Sequence, residues 1–287
     1  MNLNELIDAV RADMAAHGVL TDDKLIADGV LHRARHSDDK PGRRNISYLI
    51  HADRNPSWWF EYFPLSVIET GRLSGAGKTR MPLAERRQIS EEQKRRQDER
   101  RALQRQAAER AVHIWKVAKP VLSAAEHNYL QRKGVPPLGL RMSENGRLIV
   151  PLWAENRNMM NLQFIDDDGE KRFLRHGKKK HCFSVIGNSS NIERLLIVEG
   201  WATGASLHVE LGVFVMVAMD AGNLEPVAQA ARRLFLQAEI IIAGDNDASG
   251  TGQTAANKAA LAVGGKVLIP PQADHDWNDV LTMEGAA

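Results

Sequence analysis

Two short β-branched runs that each end in acid constrain this chain more than any other feature. The first is Leu195-Leu196-Ile197-Val198, followed by Glu199-Gly200. The second is Ile240-Ile241-Ile242-Ala243-Gly244, followed by Asp245-Asn246-Asp247. Apolar runs of this length, bounded by Gly, read as strands buried on both faces. Between them lie an amphipathic helical stretch, a third apolar run at residues 213–218 and another helical stretch. Strand, helix, strand, helix, strand implies parallel strands with right-handed crossovers. The C-terminal ends of such strands share one edge, where ligands bind. Glu199, Asp245 and Asp247 are expected on that edge, within bridging distance of a common metal ion.

Crowded carboxylates repel, and each resists ionising alone. A divalent cation supplies the missing positive charge. An all-oxygen set without Cys or His favours Mg2+ or Mn2+ over zinc. Asp-x-Asp by itself fits unrelated acids capping helices just as well; the Glu199-Gly200 pair beside it is what favours a shared site.

Glu-Gly at one strand and Asp-x-Asp at a later one resembles the Toprim domain, shared by topoisomerases, bacterial primases and some nucleases. The wording is closer to the primases of phages and conjugative plasmids, which typically carry Glu-Gly-Tyr-Ala-Thr-Gly. Here the stretch is Glu199-Gly200-Trp201-Ala202-Thr203-Gly204, with Trp201 at the Tyr position. The resemblance continues through Ala221-Gly222-Asn223-Leu224 and Gly244-Asp245-Asn246-Asp247 to Asp276-Trp277-Asn278-Asp279, and covers residues 126–287. It implies an α/β Toprim core with a Rossmann-like parallel sheet and a DNA primase that makes short RNA primers. The template would be single-stranded DNA, the substrates ribonucleoside triphosphates and the cofactor Mg2+ or Mn2+. Asp245 and Asp247 would bind metal, Glu199 would be a ligand or the general base, and Asp276 and Asp279 would serve a second metal position. Helix N-capping by Asp276 is compatible with that role. Replicative primases often carry Asp four residues after the Toprim Glu; Thr203 stands there, as in the phage and plasmid branch, and removes one potential ligand.

With 287 residues, 43% of them hydrophobic, the chain has material for one large or two modest domains. The net charge of +2 means that any nucleic-acid signal must come from how charge is distributed. A single cysteine, Cys182, excludes a disulfide framework and a four-cysteine zinc module, so no zinc is expected. Without a membrane-length apolar run or a signal-peptide pattern, the expected setting is reducing and cytoplasmic, with no membrane partner.

Four segments are expected: a small N-terminal α+β module at 1–80, a charged connecting helix at 81–120, a small antiparallel β module with a basic cluster at 121–190, and the Toprim domain at 191–287. Leu3, Leu6, Ile7, Val10 and Met14 recur at helical spacing, and Gly18 stops that helix. Short strands follow at 29–32, 47–51 and 57–61, with a turn at 53–56. Arg33, Arg35, Arg43, Arg44 and Arg54 sit among Trp58, Trp59 and Tyr62, a mixture that suits single-stranded nucleic acid or a small sheet with a Trp core. Gly75-Ala76-Gly77-Lys78-Thr79 imitates the end of a P-loop, but Arg72 occupies the position that needs Gly. Residues 81–118 hold ten Lys or Arg against six acids, and an apolar stripe begins only at Leu103. That helix should start solvated and then dock on a core. Lys171, Arg172, Arg175, Lys178, Lys179 and Lys180 form an all-positive cluster ahead of the first acidic strand, suited to a template or an incoming triphosphate. Residues 250–263 form a helix whose N-terminus would face the acidic edge, with N–H groups free for a phosphate.

Other readings are a Toprim nuclease, which uses similar acids with water as nucleophile, and a nucleic-acid-binding Toprim protein with little catalysis. A topoisomerase needs a tyrosine nucleophile and a large gate, and this chain has three Tyr. With no helicase motif, a primase of this kind would work with a separate replicative helicase or be an excised primase module.

Overall fold

The computed structural model describes residues 3–53, 56–65, 67–73 and 83–284. The P-loop-like stretch at 75–79 and Arg54 lie outside the described residues. The chain divides into two compact units, Met1–Ser90 and Glu91–Ala287.

In the first unit, α1 (Leu3–Ala16) turns Leu6, Val10 and Met14 inward, as their spacing predicts. It covers an antiparallel sheet of β1 (His32–Ala34), β2 (Ile46–His51), β3 (Ser57–Tyr62) and β4 (Val67–Arg72), ordered as numbered. Strand alternation puts Trp58, Phe60 and Tyr62 on the core side. Two of the three rings expected among the arginines are therefore core residues, and Trp58 Nε1 donates to Asp13 at 2.6 Å. The expected strand at 29–32 is corrected: residues 28–30 form a bend and the strand begins at His32. The strand β4 carries Gly71, which hides it from a propensity reading. That glycine is required, because a Cβ there would lie 2.1 Å from the Trp58 ring.

The helix α2 (Leu83–Val117) is continuous over 35 residues. Its described side chains are exposed up to residue 101, and burial begins in earnest at Ala107 and Ala111. This is the predicted change from solvated helix to docked helix. Arg96–Glu92 and Arg95–Glu99 pairs at i,i+4 support the exposed part, each contributing a few tenths of a kcal/mol.

The second unit holds two sheets. After β5 (Lys119–Pro120) comes a capped 3-10 turn at 124–126 and then α3 (Asn128–Lys133). Next come β6 (Arg141–Met142), β7 (Leu148–Trp153), β8 (Met159–Ile165) and β9 (Lys171–Phe173). The strands β5 to β9 make one antiparallel sheet in sequence order. The second sheet contains β10 (Ser184–Ile186), β11 (Arg194–Val198), β12 (Phe214–Val217), β13 (Glu239–Ala243) and β14 (Lys266–Leu268). Its helices are α4 (Trp201–Leu211), α5 (Leu224–Leu234), α6 (Thr251–Val263) and α7 (Trp277–Glu284). The order is β10-β12-β11-β13-β14; β10 is antiparallel to β12 and the other pairs are parallel.

Both faces of this sheet are buried, which is why β11 and β12 read as unbroken apolar runs. Leu196, Val198, Val215 and Val217 face α4 together with Trp201 and with Leu148 and Val150 of the antiparallel sheet. Leu195, Ile197, Met216, Ile240 and Ile242 face α5 and α6 through small side chains such as Ala228, Ala231, Ala256 and Ala260. Reciprocal backbone bonds between Trp153 and Phe183 join the two sheets. Among the described residues no helix is long and apolar enough to cross a membrane.

A candidate polyanion and metal pocket at the sheet edge

The C-terminal ends of the parallel strands open onto a cavity of about 930 Å³. Glu199 follows β11, Asp245 follows β13, and Asp276 and Asp279 come from the start of α7; all four line the cavity. Three cationic residues, Arg132, Lys133 and Lys171, line it as well, with Tyr129 beside them.

The acids differ in surroundings. Burial, followed by the charges of Asp245 and Asp220, pushes the Glu199 carboxyl up to about 7 even though it accepts the Ala221 N–H. Burial and the charges of Asp276 and Asp247 push Asp245 up to about 6. Its Oδ1 is buried without a hydrogen-bond partner. Asp247 is the opposite case, held below the usual range by its donors despite partial burial. Its Oδ1 accepts from Ser249 Oγ at 2.6 Å and Thr251 N at 3.1 Å, and its Oδ2 from Gly252 N at 2.8 Å. The carboxylate thus caps α6, and it does not line the cavity.

One expectation is corrected by this: the Thr251 and Gly252 N–H groups at the start of α6 are taken by Asp247 and are not open to a phosphate. Among the described residues no three of His, Cys, Asp and Glu form a ready-made metal-binding group. The close approach of α6 to the acidic turn explains Gly252, where a Cβ would sit 2.6 Å from the Asp245 carbonyl oxygen.

Asp276 and Asp279 exchange capping bonds at the start of α7: Asp279 N donates to Asp276 Oδ1 at 3.0 Å and Asp276 N to Asp279 Oδ2 at 3.2 Å. Asp279 also pairs with Lys133 at 3.2 Å.

Three asparagines of the acidic motifs act as clamps. Asn246 Nδ2 donates to the carbonyls of Pro270 and Gln272, and its own carbonyl accepts from Asp274 N, which ties the Asp276 loop to the Asp245 turn. Asn278 is buried and donates to Lys133 O at 2.7 Å and Ser206 Oγ at 2.8 Å, joining α7 to α3 and α4. Asn223 donates to Cys182 O and Ala218 O and accepts from His181 N, fixing the loop after β9 against the end of β12.

The predicted basic cluster divides. Lys171 enters the cavity, its ammonium 5.9 Å from the centre of the Tyr129 ring. Its pKa is lowered by burial and Lys133, against the upward pull of Asp276, Glu199 and Asp245. Arg172 turns to Glu170 in a forked pair at 2.8 Å. Arg175 is exposed, and its carbonyl accepts from Arg110 of α2. Lys179 pairs with Asp220 and lies over the Phe173 ring. Neither Lys178, Lys179 nor Lys180 lines the cavity. Cys182 is a buried thiol raised to about 11 by burial.

The sequence reading missed Tyr129, Arg132 and Lys133. Their i, i+3, i+4 spacing on α3 puts them on one side of a helical turn, the signal that could have found them. Tyr129 is 4% exposed with an unpartnered hydroxyl, pushed up to about 12 by burial and Asp276, so it stays a proton donor.

A divalent cation fits this lining. The donors are oxygens, one buried carboxylate oxygen lacks a partner, and Glu199 and Asp245 ionise reluctantly without added positive charge. A set this loose suits an ion that keeps several waters, as Mg2+ does.

Over 262 residues the chain is 28% identical to the DNA primase TraC of Escherichia coli, covering 85% of this chain and 24% of that protein. It is 29% identical over 273 residues to a second DNA primase TraC of Escherichia coli, covering 86% of this chain and 18% of that protein. The chain thus spans a quarter or less of the length of the curated relatives it matches. Among solved structures, the primase fragment of the bacteriophage T7 primase-helicase protein is similar with a TM-score of 0.44 and 18% identity, over 59% of this chain and 76% of that one. Residues 194–287, which carry Glu199, Asp245, Asp276 and Asp279, match the Toprim domain model.

Proposed function

We propose that this chain is the catalytic part of a DNA primase, of the kind carried by phages and plasmids, that makes short RNA primers on single-stranded DNA from ribonucleoside triphosphates. The observation that carries the reading is one cavity in which Glu199, Asp245, Asp276 and Asp279 face Arg132, Lys133 and Lys171, on a Toprim sheet in a chain similar to DNA primases.

Primer synthesis joins two nucleotides by attack of a 3′-hydroxyl on the α-phosphorus of a triphosphate, which forms the phosphodiester as the bond to the β-phosphate breaks and pyrophosphate leaves. Bound Mg2+ or Mn2+ would neutralise charge on the phosphoryl oxygens. Glu199 and Asp245 would hold it, assisted by Asp276 and Asp279, with Asp247 shaping the turn from its place on α6. Glu199, with a carboxyl near neutrality, also suits a general base that takes the hydroxyl proton on an Oε atom. Lys171, Lys133 and Arg132 bind the triphosphate, and the Tyr129 hydroxyl donates to it. Arg172, Arg175 and Lys178 to Lys180 lie outside the cavity and steer the template electrostatically. A separate replicative helicase is the natural partner for a chain of this activity.

A template-directed assay tests the reading: single-stranded DNA, labelled ribonucleotides and Mg2+ or Mn2+, beside Glu199→Gln. Short RNA products that vanish in the variant are expected. An uncopied template cut in a metal-dependent way would replace the primase with a Toprim nuclease; an uncopied and intact one would leave a binding protein.

A further inference from the structure

A second cavity, of about 400 Å³, lies along the face of the β10–β12 corner of the parallel sheet. Phe183, Val185 of β10, Phe214 and Met216 of β12, and Trp153 and Phe235 supply its apolar walls. In a doubly wound sheet such a surface is normally covered by a helix. Here α5 packs on β11 and β13, and α6 on β13 and β14. The β10–β12 corner carries an open cavity instead, with Val185 38% and Leu234 41% exposed at its mouth.

The rim is positive. Arg157 is exposed and has no ion pair among the described residues. Glu155, the acid of the rim, is taken up by Arg233 in a forked pair at 2.9 Å on both prongs. The edge of β10 is also available. Phe183 gives both its N–H and its C=O to Trp153, and strand alternation turns the N–H and C=O of Val185 to the same side.

We propose that this corner is a docking site for an acidic peptide segment of a partner protein, which seats an aromatic or long aliphatic side chain in the cavity. The apolar lining selects the anchor, the unpaired Arg157 on the rim selects an acidic flank, and the β10 edge offers main-chain hydrogen bonds. A nucleobase fits less well, because its polar edge atoms would meet Phe, Met and Val without partners. The two cavities share no lining residue, so a partner could bind here while the pocket works.

The test uses the full chain and a displayed library of random short peptides. Val185→Trp fills the mouth of the cavity without entering the core, and Arg157→Glu reverses the rim; neither touches the acidic pocket. Selection on the unaltered chain should enrich acidic peptides with one aromatic or aliphatic anchor. Their binding, read by polarisation of a dye-labelled copy, should weaken about tenfold or more in each variant. Circular dichroism and primer synthesis of both variants should be unchanged, which separates this site from the primase reading. No enrichment, or enriched peptides that bind Val185→Trp equally well, would overturn the proposal. A labelled oligo(dT) whose binding is lost in Val185→Trp would overturn it in favour of a nucleic-acid site.

Discussion

The acidic edge has an inner and an outer part made of the same residue types, and they behave in opposite ways. Inside, Glu199 is pushed towards neutrality by burial and the charge of Asp245, and Asp245 by burial and the charges of Asp276 and Asp247. Asp247, outside the cavity, and Asp279, on its wall, sit at helix N-termini, take backbone N–H donors and are held below the usual carboxylate range. Asp245 and Asp247 are two residues apart, so the difference is one of partners, not of position in the sheet. Donors make an acid part of the scaffold. A buried acid with few or no donors costs stability until a cation arrives, and that is where chemistry is to be expected.

The largest expected effect breaks this contrast by substitution. Asp245→Asn should lower primer synthesis on the order of a thousandfold. It should also raise the melting temperature of the metal-free chain, since it removes a poorly solvated charge. Asp247→Asn keeps a good capping side chain and should lower activity only about tenfold. Equal losses in the two variants, measured as initial rates at saturating Mg2+, would show that inner and outer acids have one role.

Metal removal should expose the same contrast through pH. Glu199 and Asp245 titrate at about 7 and about 6, above the ordinary 4.5 and 3.8. Between those limits the folded chain retains protons that the unfolded chain has released, so stability in a chelator falls as pH rises through that window. Mg2+ binds the ionised acids and should offset the loss. Thermal melts from about pH 5 to pH 8, in chelator and in Mg2+, check it. A metal-free chain that gains stability with rising pH would contradict the inner-acid description.

A smaller effect separates cap from site. Asp247→Ala leaves Thr251 N and Gly252 N without their acceptor and should cost about 1–2 kcal/mol in denaturant unfolding. The smallest concerns the basic residues. Lys171→Ala should weaken triphosphate binding, read as a rise in the KM for ribonucleotides. Neutralising Lys178, Lys179 and Lys180 together should leave that KM alone and flatten the salt dependence of single-strand binding. If both changes raise KM alike, the division of the cluster by the fold has no functional meaning.

Much of this was legible in the chain. The run at 57–61 marked a short strand and left a small sheet with a Trp core as one of two readings, and the turn to apolar residues after Leu103 marked where α2 docks. Unbroken runs before Glu199 and Asp245 put both acids on one edge. The failures have physical reasons. The strand β4 is masked by Gly71, whose need arises only from the ring opposite. Tyr129, Arg132 and Lys133 lie about seventy residues ahead of Glu199, on a helix too short for periodicity to single out.

The sequence by itself determined which strands are buried, because a parallel sheet covered on both faces demands runs that no surface tolerates. It determined that the strands before Glu199 and Asp245 run parallel, because strand-helix-strand alternation with right-handed crossovers leaves few alternatives. What only the tertiary structure decided is which groups meet. Asp247 turns to α6 and leaves the cavity, Lys171 parts from Lys178, and α3 brings cations to the acids through Asn278 and the Lys133–Asp279 pair. Hydrogen-bond partners and burial set those outcomes, and both depend on side-chain directions that spacing along the chain does not encode.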